Sequence, residues 1–164
     1  MARPSGGQRP FPEASASSNS AHMQNLVTVF GGSGFVGVQA VRRLAKAGWR
    51  IRVAVRNPNL AYKMRLLGDV GQVDIAQANI RDPDSIRRAL DGATASLNLV
   101  GVLTDGGRQG FQAAHVEGAA NVVQAAKDLG VSRIVQMSAL GADAGSASAY
   151  ARSQAEGESA VRAI

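Results

Sequence analysis

The chain contains no cysteine. Disulfide frameworks, thiol nucleophiles and thiolate-ligated zinc are therefore excluded, and two isolated histidines, His22 and His115, do not make a metal site. The redox compartment stays open, with a reducing one favoured. Aromatic side chains are 4% of the residues, too few for the stacking platforms that hold single-stranded nucleic acid. No run reaches the roughly 18 apolar residues of a membrane-spanning helix, and residues 92–104 read as a buried strand between turns. The chain should not cross a bilayer by itself.

Acidic residues are scarce where basic ones gather. Residues 1–100 hold 13 Lys/Arg against 6 Asp/Glu, residues 101–164 hold 5 against 6, and the net charge is +6. Nucleic acid or an anionic lipid surface would suit such an excess, but Arg42, Arg43, Lys46, Arg87 and Arg88 read more simply as solvated helix faces. No nucleic-acid partner is expected.

What is present is the profile of one globular domain: 164 residues, 45% hydrophobic, 18% charged. Residues 1–24 have Pro4, Pro10, Pro12 and five serines but no apolar period. They are expected to be a disordered tail or tag, either a cloning scar ahead of a start at Met23 or a targeting leader. His22 belongs to that tail.

From Asn25 onward, short apolar runs alternate with helical periodicity. Leu26 to Phe30 reads as a strand, followed by a helix carrying Val38, Val41, Leu44 and Ala45 and stopped at Gly48. Arg50 to Val55 is a second strand, Leu60 to Leu67 a short helix, and Val73 to Ala78 a third strand. Asp82 caps a helix through Leu90, with Pro83 in its first turn. Ala95 to Val100 is a fourth strand. A long helix from Phe111 to Leu129 turns Val116, Ala119, Ala120, Val123 and Ala126 inward, Arg133 to Ser138 is a fifth strand, and a last helix runs from Ala149 towards Ile164. Alternating strands and helices predict an α/β fold with a doubly wound parallel sheet of the Rossmann kind, buried on both faces.

Gly31-Gly32-Ser33-Gly34-Phe35-Val36-Gly37 falls directly between the first strand and the first helix. In that context each spaced glycine has its own role. Gly31 permits the sharp turn, Gly34 lets backbone approach a pyrophosphate, and Gly37 lets the helix pack on the strand. The helix amino terminus then offers N–H groups to the anion. A P-loop is excluded because no Gly-Lys-Ser/Thr follows. About twenty residues on, where a binder of NAD places an acid on the ribose hydroxyls, this chain has Arg56 after strand two. A guanidinium suits a ribose 2′-phosphate, so NADPH is expected over NAD; a surface arginine without a ligand is the other reading.

These residues resemble the extended and atypical short-chain dehydrogenase/reductases. Within that family the chain is similar to the nucleotide-binding accessory subunit of respiratory complex I and its bacterial relatives, over residues 26–37, 51–56, 98–102, 107–111 and 150–158. The resemblance implies that the segment Asn79-Ile80-Arg81-Asp82 contacts the adenine, with Asn79 and Ile80 as its cofactor contacts, that Asn98-Leu99-Val100-Gly101 walls the cofactor through Val100 and Gly101, and that Ser138 and Tyr150 are the active-site pair beside it. Active members carry Tyr-x-x-x-Lys, whose lysine holds the ribose and lowers the tyrosine pKa. The fourth residue after Tyr150 is Gln154, which can hydrogen-bond but cannot stabilise a tyrosinate by charge. Ser138 and Tyr150 are thus expected to be a catalytic remnant. His115 stands where many extended members have an asparagine supporting the lysine, or is an ordinary helix residue.

The resemblance further implies a NAD(P)-binding Rossmann domain over residues 25–164, truncated after the fifth strand and following helix, without its substrate lobe. Its implied function is a non-catalytic, NADPH-binding accessory subunit of complex I, peripheral to the respiratory inner membrane on its cytoplasmic or matrix side. The cofactor would be structural or sensory there, since a ligand bound to the native state stabilises it by mass action. Two other functions stay open: an active NADP-dependent reductase, epimerase or dehydratase acting on a small substrate, and a redox sensor that binds a protein partner.

Overall fold

A computed structural model describes residues 25–107 and 110–164. The expected tail with His22, and Arg108 and Gln109 of the 107–111 segment, lie outside the described residues. Five strands alternate with helical segments: β1 (Leu26–Phe30), α1 (Phe35–Lys46), β2 (Arg50–Val55), a 3-10 helix (Pro58–Leu67), β3 (Val73–Gln77), α2 (Pro83–Leu90), β4 (Ala95–Asn98), a π turn (Gln112–Glu117), α3 (Gly118–Asp128), β5 (Arg133–Gln136) and α4 (Ala149–Arg162). The strands form one parallel sheet in the order β3-β2-β1-β4-β5. The order reverses between β1 and β4, and the loops leaving the two strands part there and open a crevice at the carboxyl edge of the sheet.

The period of two along β1 separates two cores. Val27 and Val29 face one side, where Ile51 and Val53 of β2 meet Val41 and Ala45 of α1 and Ala61 and Met64 of the 3-10 helix. Phe30 faces the other, with Ile86 and Leu90 of α2 and Val122 and Ala126 of α3. Thr28 lies on this second side, fully buried. Its hydroxyl donates to the Ala89 carbonyl at 2.7 Å, which satisfies a polar group that would otherwise be costly in a central strand.

Several elements differ from the sequence reading for identifiable reasons. The helix after β2 is 3-10 and starts at Pro58, where Asn57 accepts the Asn59 N–H. The helix expected from Phe111 opens as a π turn before α3. Of its expected inward residues, Ala119, Val123 and Ala126 are buried, while Val116 and Ala120 are only half-buried; Val122 and Ala125 complete the face. β4 stops at Asn98 because its carboxamide oxygen accepts the Val100 N–H at 3.1 Å and peels the chain out of the sheet. β5 stops at Gln136, and α4 ends at Arg162. The Asp82 cap forms as expected, accepting from the N–H groups of Asp84 and Ser85. Burial on both faces holds for the central strands but not for β5, where Val135 is 57% exposed. No helix among the described residues is long and apolar enough to cross a membrane.

Asn98 ties this edge together, because its amide also donates to Gln136 Oε1 at 2.8 Å. Asn98→Ala leaves the Val100 N–H without its acceptor and should lower stability by about 1–3 kcal/mol, read as a lower urea midpoint at unchanged slope.

Candidate dinucleotide site

The turn after β1 is shaped by glycines with separate duties. Gly31 has a φ of 73°, donates its N–H to the Ala54 carbonyl and accepts that of Gly34. A Cβ there would stand 3.1 Å from the Leu99 carbonyl carbon and the Val100 nitrogen. At Gly37 a Cβ would stand 2.5 Å from the Gly31 oxygen and the Gly32 carbonyl, so α1 rests directly on the turn and only glycine fits. Gly34 is the N-cap of α1, with no side-chain cap and no acid in the first turn. Among the described residues no side chain caps the leading N–H groups of α1, which suits them to an anion.

A cleft of about 270 Å³ opens above this turn. It brings together eight of the expected site residues: Gly31, Ser33, Gly34, Arg56, Asn79, Ile80, Val100 and Gly101. Asn79 is fixed from below, its N–H donating to Ser85 Oγ at 3.0 Å and its carboxamide oxygen accepting the Arg81 N–H. Gly32, Phe35, Val36, Gly37, Ser138 and Tyr150 do not line the cleft. Gly32 and Gly37 are buried behind the turn, and Phe35 is 91% exposed. Arg81 lines the cleft beside Asn79 and Ile80, and Val102, Ala113 and Ala114, which were not among the expected cofactor contacts, line it too. The two alanines carry no sequence signal beyond their size.

Ser138 follows β5 at the same edge, its hydroxyl buried and without a hydrogen-bond partner among the described residues. Tyr150 is half-buried on α4, edge-on to His115 with ring centroids 5.5 Å apart. Gln154 is 8% exposed, so the position of the family lysine is filled by a buried neutral amide.

His115 is more than an ordinary helix residue. It is buried in the π turn, stacks on Phe111, and accepts the Val102 N–H on Nε2 at 3.0 Å. The neutral ring then carries its proton on Nδ1 and donates to Ser153 Oγ at 2.9 Å, and Ser153 donates to the Tyr150 carbonyl at 2.8 Å. Through one imidazole the cleft wall at Val102 is joined to α4. Gly157 permits that approach, since a Cβ there would collide with the His115 carbonyl.

A helix amino terminus without a side-chain cap at the turn and two arginines on the cleft lining fit a dinucleotide. The profile of the NAD(P)H-binding family matches residues 31–162. The chain belongs to that family.

Relatives of this NAD(P)H-binding domain include the mouse mitochondrial NADH dehydrogenase [ubiquinone] 1 alpha subcomplex subunit 9, 34% identical over 85% of this chain and 37% of that protein. The ceramide reductase of Caulobacter vibrioides is 33% identical over 85% of this chain and 43% of its own length. The chain thus spans less than half the length of either. A solved structure of a provisionally named NAD-dependent epimerase/dehydratase from Bacillus halodurans superposes with a TM-score of 0.72 at 22% identity, covering 84% of this chain and 64% of that one. It has the same fold.

Burial pushes the His115 pKa below its usual value, against the opposing charge of Asp105. The unfolded chain therefore takes up this proton first as pH falls. Stability from His115 should be complete above about pH 6.5 and be lost as pH drops through the lower folded-state value. Urea midpoints measured across that range should fall in wild type and fall less in His115→Asn.

Proposed function

We propose that the domain holds NADPH in preference to NADH, as the cofactor-binding part of a non-catalytic accessory subunit of respiratory complex I. The observation that carries the cofactor choice is Arg56 on the cleft rim at the end of β2, with Arg81 beside it on the lining. A pair of guanidiniums attracts a 2′-phosphate, and the acid that would grip unphosphorylated ribose is absent at that position. The turn from Gly31 to Gly34 and the open end of α1 hold the pyrophosphate. Asn79 and Ile80 face the adenine end, while Val100 and Gly101 wall the nicotinamide end.

Bound NADPH supplies a hydride donor, and turnover would also need a group that moves a proton. Tyr150 is the candidate proton donor, but the buried amide of Gln154 offers no positive charge to stabilise its phenolate. The cofactor then serves as a stabilising or sensed ligand. Similarity to a mitochondrial NADH dehydrogenase subunit supports partners among complex I subunits and a peripheral place at the respiratory inner membrane, on its cytoplasmic or matrix side. A second reading, an active NADP-dependent reductase, epimerase or dehydratase, is favoured by the orphaned Ser138 hydroxyl and by the ceramide reductase among the relatives.

Two measurements separate these readings. Arg56→Ala should weaken NADPH binding about tenfold or more, as expected for losing a charge-assisted hydrogen bond, and leave NADH binding nearly unchanged; equal NADPH affinity in both proteins would overturn the assignment. The wild-type protein should co-purify with NADH:quinone oxidoreductase and show no NADPH oxidation with a panel of carbonyl substrates. Turnover by wild type, or by Gln154→Lys at a rate well above it, would favour the catalytic ancestry, and wild-type turnover alone would refute the accessory role.

A further inference from the structure

The 3-10 helix between β2 and β3 presents apolar side chains on both its inner and its outer side. With three residues per turn, positions i and i+3 eclipse. Ala61 and Met64 form the inner edge, each 1% exposed, with Leu67 packed against the same core. The other two edges face solvent. Leu60, Lys63 and Leu66 stack along one, and the leucines are 78% and 84% exposed. Tyr62 and Arg65 stand along the other, with the guanidinium 5.2 Å from the ring centroid.

Isolated exposed leucines are ordinary, but this ridge lies in a segment of unusual charge. Residues 25–68 contain eight Lys/Arg and no Asp/Glu. Helix α1 shares the core beneath the ridge and carries Arg42, Arg43 and Lys46. The acids beside the ridge are Asp69, just past its end, and Asp74 on β3. Asp74 lies 3.6 Å from Arg65 and offsets that one charge, which leaves Lys63 and the cations of α1 as the excess. Apolar tips flanked by cations match an anionic bilayer: lysine and arginine meet the headgroups while leucine and tyrosine enter the acyl boundary.

We propose that the outer face of the 3-10 helix, with the neighbouring cations of α1, docks the domain on an anionic phospholipid surface. The inference deepens the peripheral placement proposed above. It can fail without that placement failing, because a subunit held only by protein contacts needs no affinity for lipid. The ridge begins beyond Arg56, so changes at Leu60, Lys63 and Leu66 leave the cleft lining intact.

The test is co-sedimentation of the full chain with phosphatidylcholine vesicles, plain or containing about one third phosphatidylglycerol, a proportion that gives a strongly negative surface. The protein should sediment with the anionic vesicles only, and less so as salt rises. The double change Leu60→Ser and Leu66→Ser should weaken binding about tenfold or more, and Lys63→Gln about fivefold, with thermal unfolding midpoints near that of wild type. No sedimentation, equal binding to neutral vesicles, or a double variant that binds as wild type would each overturn the proposal. Association with a purified respiratory complex without any binding to vesicles would assign the face to protein and overturn it as well.

Discussion

Helix α1 sits on bare backbone. Between Gly37 and the carbonyl groups of Gly31 and Gly32 there is no room for a methyl group, and most of the site follows from that contact. It sets the height of α1 above β1, which fixes where the leading N–H groups of the helix point. It holds Gly31 at a positive φ against the backbone of Leu99 and Val100. The loops after β1 and β4 are thereby locked to each other at the place where the strand order reverses. A ligand anion at the end of α1 meets a surface made before the ligand arrives, which lowers the ordering cost of binding.

The rest of the cleft is held in place by polar groups just outside it. Ser85 holds the Asn79 segment, Asn98 turns the chain out of β4 while gripping β5, and His115 fastens Val102 to α4. The Ser85 and His115 bonds reach segments outside the sheet, while the Asn98–Gln136 bond adds to the β4–β5 pairing where the chain leaves it. Such bonds do more to position than to stabilise, since a neutral hydrogen bond contributes only about 1 kcal/mol net. Their geometric effect is larger, because the cleft loops have no regular structure of their own.

Much of this was legible because it is local. β1, the glycine turn and the start of α1 are contiguous, and their meaning rests on steric rules within a few residues. Arg56 was legible for a similar reason: the end of β2 is a fixed distance along the chain from the glycine turn, and the absence of an acid there needs no coordinates to notice. The Asp82 cap, with Pro83 behind it, belongs to the same class. Less legible were the hydrogen-bond type of helices and the ends of strands. Whether a segment is α, 3-10 or π depends on what presses on it, and Gly157 of α4 meets the π turn from 42 positions further along than His115.

The sequence by itself determined the alternation of elements, the glycine turn and the arginine that follows β2, because backbone sterics and strand length act over short chain distances. Only the tertiary structure decided that His115 is a bracket rather than a helix residue of no consequence, since its partners Val102 and Ser153 approach it from 13 and 38 residues away. The tertiary structure also decided that the 3-10 helix shows apolar side chains to solvent. Periodicity finds the buried edge of a helix, but only packing reveals that no other element among the described residues covers its opposite edges.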